Sequence, residues 1–298
     1  VLSVVSYFAE DQPSNEGLWI LANTLEKVSK GKLTLEFKGG PEAIAAAEQW
    51  EAVRYGVVDM AVTGANNYRS LLPEADVFPV SELTPTEERE SGFYDLMDER
   101  HNGIGLKYLG RALSGTEFHF WLNVKIETWE ELSTLLMRGN PWYDPLFKAL
   151  GIENYINVPF TEVYSAMDQG LTEGFVFVAN SVLKNSLYEV TKYGVNPGFW
   201  KAGDIFIMNI DVWNSMPAEY QGFLTEALVS AEQELRDHFV GIEQEVQTKL
   251  KAEGMEFIEL APANAEVFLD LTMQSGWSSV EEAVSPFLYG KYQEVARK

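Results

Sequence analysis

Arg138 is an isolated arginine in an apolar stretch, and its chemistry calls for an anion. It follows the letters LLM and precedes GNP, which is a turn sequence with aromatic residues after it. Removing a guanidinium from water is costly unless an opposite charge pairs with it. The sequence leaves open whether that anion belongs to the protein or to a ligand.

The remaining chemistry-bearing residues match no common catalytic motif. The three histidines, His101, His119 and His238, lack metal-ligand spacing, and no HExxH, G-x-S-x-G or Walker A sequence occurs. The absence of cysteine excludes disulfides, thiolate nucleophiles and zinc–sulfur sites. We therefore expect no catalytic residue, no metal and no cofactor. His119, inside an apolar run, is the base that an alternative enzymatic interpretation would use.

Composition and charge limit the partners of the chain. Its 298 residues are 46% hydrophobic and 22% charged, which is a globular composition. The net charge of −23, from 45 acidic and 22 basic residues, argues against a nucleic-acid partner, because neutralising phosphates needs a basic patch. No apolar run is long enough to insert into a membrane. No basic and apolar leader opens the sequence, so the protein is either cytoplasmic or lacks its signal peptide here.

The pattern of elements places Arg138 in an α/β fold. Strand-like segments at 2–5, 32–37, 57–62 and 105–109 alternate with helical segments at 14–28, 42–55 and 85–99. This alternation favours a layered domain with a largely parallel sheet. The next third of the chain also combines helices and strands, with helical or strand spacing at 129–138, 141–150, 155–158 and 161–169. Thr161 is a suitable N-cap, and Gly170 ends that helix.

One long helix is the most distinctive architectural prediction. Apolar residues recur every three or four positions from Pro217 to Gly254, followed by a strand at 256–260 and closing helices. At about 1.5 Å per residue such a helix is roughly 55 Å long and has to contact two domains. Two helices kinked at Gly241 are the alternative. We expect the chain to cross more than once between two α/β lobes, and a cleft between lobes is a common ligand site.

Five segments carry a family resemblance. They are KGKLTLEF at 30–37 with GG at 39–40, EAVRYG at 51–56 with VDM at 58–60, the run from KIETWEEL to MR at 125–138, EVYSAM at 162–167 with EG at 173–174, and the segment from N to P at 209–217. In this order and spacing they resemble the solute receptors of TRAP transporters, the DctP-like family, over nearly the whole chain.

The resemblance implies a periplasmic receptor with no enzymatic activity. It implies a two-lobed periplasmic-binding-protein-like fold with hinge strands and a long helix spanning both lobes. Residues 1–116 and 207–243 would form lobe I, and 117–206 and 244–298 lobe II, with the ligand cleft between them. Such a receptor closes around a small organic carboxylate and delivers it to TRAP membrane permease subunits. In the family, the arginine that ends the 125–138 run clamps the carboxylate, and this role carries over to Arg138.

Departures from the family pattern suggest the character of the ligand. The glycine and lysine usual before the clamping arginine are missing, and aromatic residues stand where members place polar ones. We expect a monocarboxylate with an apolar or aromatic body. The expected ligand-binding residues beside Arg138 are Trp142, Phe160, Phe177, Phe118 and His119 from one lobe, with Asn67, Tyr68 and Asn209 from the other.

Three alternatives remain at this stage. A sensor receptor of the same fold would bind the same ligand and differ in its partner. An enzyme on this scaffold would use His119 with a carboxylate as a lyase or hydrolase. An ABC-type receptor has a similar architecture, but the long helix after Pro217 argues against it.

Overall fold

The computed structural model describes residues 1–298, apart from the side chain of Pro13. The strands, in chain order, are β1 (Leu2–Ser6), β2 (Leu35–Phe37), β3 (Met60–Gly64), β4 (Leu106–Arg111), β5 (Glu117–Leu122), β6 (Met137–Gly139), β7 (Tyr155–Asn157), β8 (Gly174–Val178), β9 (Tyr193–Asn196), β10 (Phe199–Lys201), β11 (Asp204–Asn209) and β12 (Glu256–Glu259). The helices are α1 (Glu16–Ser29), α2 (Gln49–Arg54), α3 (Pro85–Glu90), α4 (Phe93–Asn102), α5 (Asp144–Ala149), α6 (Val163–Asp168), α7 (Ala179–Lys184), α8 (Ile210–Ser215), α9 (Ala218–Ala252), α10 (Pro262–Ala283) and α11 (Pro286–Ala296).

The chain divides into two compact units. Unit 1 comprises Val1–Gly115, Gly203–Phe239 and Ala283–Lys298, and unit 2 comprises Thr116–Ala202 and Val240–Glu282. We expected the lobes to meet after residues 116, 206 and 243, and in the structure the units meet after residues 115, 202 and 239.

The C-terminal segment corrects the expected division, which gave all of 244–298 to the second lobe. Residues 283–298 group with unit 1 because α11 packs there. The Tyr292 ring lies 6.3 Å from that of Phe93, and the Glu82 N–H donates to the Ala296 carbonyl at 2.9 Å.

Unit 1 is built on a five-stranded sheet in the order β2-β1-β3-β11-β4. The strands β1, β2 and β3 are parallel, whereas β11 runs antiparallel to both β3 and β4. The sheet is therefore mixed, and the prediction of a largely parallel sheet is wrong for β11. This strand enters unit 1 from unit 2 at Gly203, so it does not take the direction that a helical crossover between parallel strands imposes.

Unit 2 is built on a seven-stranded sheet in the order β12-β9-β5-β8-β6-β7, with β10 also pairing β5. Parallel pairing joins β6 to β7 and to β8, and β12 to β9. The strand β5 runs antiparallel to β8, β9 and β10. One face of this sheet packs on the C-terminal part of α9, where Val246 and Leu250 join a core that includes Trp121 and Phe175.

The helix α9 is a single helix of 35 residues. Its length is about 52 Å at 1.5 Å per residue. The alternative of two separate helices divided at Gly241 is wrong, since one helix continues through that glycine. Its part up to Phe239 belongs to unit 1 and its part from Val240 to unit 2. Among the described residues, no helix combines the length and apolarity that crossing a bilayer requires.

Several local predictions need correction. The segment 129–138, expected to hold helix and strand, is a 3-10 helix, Trp129–Thr134, followed by β6, and Arg138 lies on this strand. The segment 42–55 is helical only in Ala46–Glu48 and α2. Thr161 is not an N-cap, because the residue before α6 is Glu162, which makes no side-chain capping bond.

Candidate functional site

Arg138 lies on β6, a three-residue strand that is buried along its length. It stands near the carboxyl end of this strand, which pairs in parallel with β7 and β8. The carboxyl ends of parallel strands meet at one edge of a sheet, where α/β folds bind ligands. Because β5 runs antiparallel to β8, β5 starts at that same edge.

Four of the predicted aromatic residues lie at this carboxyl edge of the unit 2 sheet. Trp142 is in the 3-10 helix Pro141–Tyr143 that follows β6, and Phe160 is in the 3-10 helix that follows β7. Phe177 is near the end of β8 and Phe118 near the start of β5. The topology thus collects residues from four separate segments of the chain beside Arg138.

The Arg138 guanidinium is buried and has no carboxylate beside it among the described residues. The residue is 3% exposed, and its Nε–H donates to the Val158 carbonyl at 2.8 Å. Its guanidinium carbon lies 5.2 Å from the ring centroid of Phe177. Across the part of the chain that the structure describes, no acidic side chain comes within 4.0 Å of its nitrogens. Burial lowers the pKa of Arg138, an effect that the nearby Tyr143 phenol opposes.

Arg111 in unit 1 shows how a buried arginine is satisfied within the protein. It is 6% exposed, and Glu88 binds it through two contacts, Nη2 to Oε1 at 2.6 Å and Nε to Oε2 at 3.1 Å. A third bond runs from Nη2 to the Phe78 carbonyl. Burial is the largest single influence and lowers the pKa of Arg111, but the charge and hydrogen bonds of Glu88, together with Tyr108 and Asp204, leave that pKa above its usual value. The two buried arginines differ mainly in having or lacking an anion.

Phe160 and Phe177 form an apolar surface next to the guanidinium. Their ring centroids are 5.0 Å apart, with Phe177 7% exposed and Phe160 49% exposed. Phe177 also belongs to the core of unit 2, so it both supports the fold and contacts Arg138. One part of the Phe160 ring therefore packs on Phe177, and the rest is open at this edge of the sheet.

Trp142 is the centre of a second aromatic group. Its ring lies 5.5 Å from Phe118, 5.2 Å from Tyr143 and 5.2 Å from Trp200. Tyr143 connects this group to Arg138, since its phenol interacts electrostatically with the guanidinium and its hydroxyl donates to the Val176 carbonyl at 3.0 Å. Phe118 and Trp142 are half-buried and so leave part of their rings accessible.

His119 does not join the candidate site. It is 3% exposed, its Nδ1 is 3.1 Å from the Val195 carbonyl oxygen, and its Nε2 is 3.6 Å from Oε1 of Glu243 on α9. Both ring nitrogens therefore face protein atoms, and a ligand contact of His119 stays a prediction. Alternation along β5 puts Phe118 and His119 on opposite faces of the sheet.

Two predicted residues of unit 1 have structural roles instead. Tyr68 is fully buried, and its hydroxyl lies 2.9 Å from Nε2 of His101. Asn209 caps α8, accepting from the N–H groups of Asp211 and Val212 at 2.9 Å. The amide nitrogen of Asn209 donates to the carbonyls of residues 53 and 54, so both ends of this side chain are used within the protein.

Asn67 keeps a position from which it could reach a ligand. It lies in the 3-10 helix Ala65–Tyr68 directly after β3, is half-buried, and donates to Thr63 Oγ1 at 3.1 Å. Its ligand contact stays a prediction. A buried pair that the sequence did not indicate lies at the same edge of the unit 1 sheet, where the Tyr7 hydroxyl donates to Asp204. Burial raises the pKa of Asp204 to about 6, against the lowering effects of Tyr7 and Arg111.

Sequence reasoning also missed Tyr143 and Trp200. Tyr143 follows Trp142 directly and could have been found from the aromatic pair after the GNP turn. No local signal indicates Trp200, which reaches Trp142 from β10, about 60 residues away in the chain. A separate groove of about 510 Å³ between α5 and α10 shares no residue with either aromatic group, and its lining includes Lys148, Gln274 and Ser278.

Comparison with known proteins decides the family. A family model described as "Bacterial extracellular solute-binding protein, family 7", or DctP, matches residues 4–282. The chain belongs to this family. Members are the receptors of TRAP transporters, which bind small organic acids outside the cytoplasm and work with membrane permease subunits. They are substrate-binding receptors and not enzymes.

Relatives of the chain differ in the ligands that their names give. It is 26% identical over 258 residues to the 2,3-diketo-L-gulonate-binding periplasmic protein YiaO of Escherichia coli, covering 83% of this chain and 74% of YiaO. It is 22% identical over 276 residues to the monocarboxylate 2-oxoacid-binding periplasmic protein all3028 of Nostoc, covering 86% and 72%. A TRAP periplasmic solute-binding protein of Desulfovibrio salexigens with bound orotic acid matches with a TM-score of 0.82, at 19% identity over 99% of both chains. This structural match confirms the two-lobed α/β fold.

Proposed function

We propose that this protein is the periplasmic receptor of a TRAP transporter that binds a small organic monocarboxylate through Arg138 and delivers it to a membrane permease. The observation that carries the proposal is the buried Arg138 guanidinium, which has no carboxylate within 4.0 Å among the described residues. An isolated buried charge is unfavourable, and a ligand carboxylate is the group that would relieve it.

The geometry of Arg138 suits a carboxylate. Nε–H is held by the Val158 carbonyl, which fixes the plane of the guanidinium and leaves the two Nη groups for a ligand. A guanidinium offers donors in a planar fork that matches the two oxygens of a carboxylate. The Phe177 ring against the guanidinium excludes water from one side, and a charge-assisted pair is stronger where water is excluded.

The surroundings of Arg138 favour an apolar or aromatic ligand body. Phe160, Phe177, Trp142 and Phe118 approach the edge where Arg138 lies, and the first of these is half-exposed. Arg138 is the cation that lies against the Phe177 ring of this group, and we propose a single acid group on the ligand to match it. The acids named for the relatives support a carboxylate and differ in the rest of the molecule.

Isothermal titration calorimetry on a panel of acids tests the proposal. The wild type should bind monocarboxylates with apolar or ring bodies, and Arg138→Ala should weaken binding by at least about 2 kcal/mol, or about 30-fold. Lys249→Ala is the matched control, because it removes one positive charge of unit 2 from an exposed position. Tight binding confined to dicarboxylic or polyhydroxylated acids would refute the proposed ligand class. Equal affinity of wild type and Arg138→Ala would make Arg138 structural.

Delivery to a permease is the part of the proposal that separates a transport receptor from a sensor. A sensor would bind the same acid through the same residues and then contact a different partner. Co-purification of the ligand-bound protein with TRAP permease subunits, and transport in reconstituted vesicles that depends on it, is the expected result. Binding without any stimulation of transport by a permease encoded beside it would favour the sensor.

A further inference from the structure

Trp200 has a backbone conformation that large side chains rarely adopt. Its φ is 34°, in the left-handed region. For a bulky residue this conformation is strained, and such residues tend to occur at ligand-binding positions. The cause lies in β10, whose pairing with β5 shifts register between Phe199 and Lys201.

The left-handed backbone changes the face on which Trp200 lies. Successive side chains of a regular strand point to opposite faces, so Phe199 and Trp200 should be separated. Instead both turn towards α10, with the Phe199 ring 5.5 Å from Phe268 and the Trp200 Nε1–H donating to the Thr272 carbonyl at 2.7 Å. Trp200 is 6% exposed and therefore fixed in position.

In this position Trp200 supports the aromatic group at the candidate site. Its ring lies 5.2 Å from Trp142, whose ring in turn lies 5.5 Å from Phe118. At these spacings each ring is in contact with the next, so Phe118, Trp142 and Trp200 form a continuous row of rings, which we call the aromatic wall. The exposed parts of Trp142 and Phe118 are the surface that this wall offers.

We propose that Trp200 is a specificity-determining positioning residue, which holds Trp142 so that the receptor prefers monocarboxylates bearing a flat ring. The inference rests on the proposed function, because Arg138 has to bind the acid group. Trp142 follows Arg138 by four residues, and Tyr143 lies between the aromatic wall and the guanidinium. Arg138 and Trp142 both lie at the carboxyl edge of the unit 2 sheet, and there we place the acid group of the ligand on Arg138 and its ring on Trp142.

Calorimetry with benzoate and propanoate tests this assignment. The wild type should bind benzoate at least about tenfold more tightly than propanoate, because only benzoate can stack on the wall. Trp200→Leu should lower this ratio about three- to tenfold while changing the propanoate affinity less than about twofold. In a Trp142→Leu background the same substitution should leave the ratio unchanged, because the ring that Trp200 positions is gone. If Trp200→Leu does not fold, Trp200→Phe, which loses the bond to Thr272, should still lower the ratio.

The outcomes separate this inference from the proposed function. An unchanged ratio, an equal loss for both acids, or full additivity with Trp142→Leu overturns the role of Trp200 while leaving Arg138 intact. Wild-type binding of propanoate but not of benzoate does the same. Binding of neither acid by the wild type overturns this inference alone. Binding of both without dependence on Arg138 overturns the proposed function and this inference with it.

Discussion

The unpaired state of Arg138 predicts that its removal leaves the ligand-free protein about as stable as before. Arg138→Met keeps the length of the side chain and deletes a charge that burial disfavours. The loss is the hydrogen bond from the charged guanidinium to the Val158 carbonyl, worth about 1.5–3 kcal/mol, and the gain is relief of the desolvation cost of the guanidinium, which is of comparable size. We expect a net change within about 1 kcal/mol, which is within about 2–4 °C in melting temperature.

Arg111→Met is the matched control for this prediction. It makes the same change at an equally buried site, but it leaves the Glu88 carboxylate buried and unpaired. Breaking a buried pair in this way costs about 3–5 kcal/mol, so unit 1 should melt at least about 6 °C lower. Differential scanning calorimetry of ligand-free wild type, Arg138→Met and Arg111→Met gives the comparison. Equal destabilisation by the two substitutions would refute the reasoning, because it would mean that Arg138 already has an anionic partner in the protein.

Three further predictions concern neighbouring features. Asn209→Ala should lower the free energy of unfolding by about 1–2 kcal/mol, since a cap is lost, and leave ligand affinity unchanged; a large loss of affinity by calorimetry would restore its predicted ligand contact. Phe160→Ala should cost less than about 1 kcal/mol of stability, because the ring is half-exposed, yet weaken binding of ring-bearing acids about threefold or more in the same assay. Asp204 has a pKa raised to about 6, so its contribution to stability is full below about pH 4 and lost as the pH rises through about 6. Urea titrations measure the difference in unfolding free energy between Asp204→Asn and the wild type. As the pH rises from about 4 to about 7.5, this difference should shift in favour of Asp204→Asn by on the order of 2 kcal/mol. A difference that does not change with pH would contradict the raised pKa.

Elements with long or regular periodicity could be predicted from the sequence. The apolar spacing of the sequence predicted strand β1 and helices α1 and α9. The length of α9 also predicted that this helix belongs to two units. The sequence indicated helix and strand together at 129–138 without giving the bounds of β6, because three buried residues are too few to show an alternation. The placement of α11 failed, since it depends on a contact between Tyr292 and Phe93 that no local pattern encodes.

Residues of the candidate site could be predicted where their neighbours in the sequence indicate their role. They could not be predicted where contacts between distant parts of the chain determine that role. Arg138 was identified because a guanidinium in an apolar run is unusual, and Trp142 because it follows closely. Tyr68 and Asn209 have polar groups that could bind a ligand. In the structure, however, the Tyr68 hydroxyl is bonded to His101, and the Asn209 amide oxygen is bonded to N–H groups at the start of α8. Trp200 was not predicted because its backbone is left-handed. Glycine or asparagine usually marks such a conformation in a sequence, and tryptophan does not.

The central claim is that the acid group of the ligand binds Arg138, and a crystal structure with the natural ligand tests it most directly. The protein would be purified without unfolding, its bound acid identified by mass spectrometry, and the complex crystallised. We predict a carboxylate with its two oxygens about 2.7–2.9 Å from the Nη atoms of Arg138. A bound ligand whose acid group contacts other residues, with Arg138 still unpaired, would contradict the account.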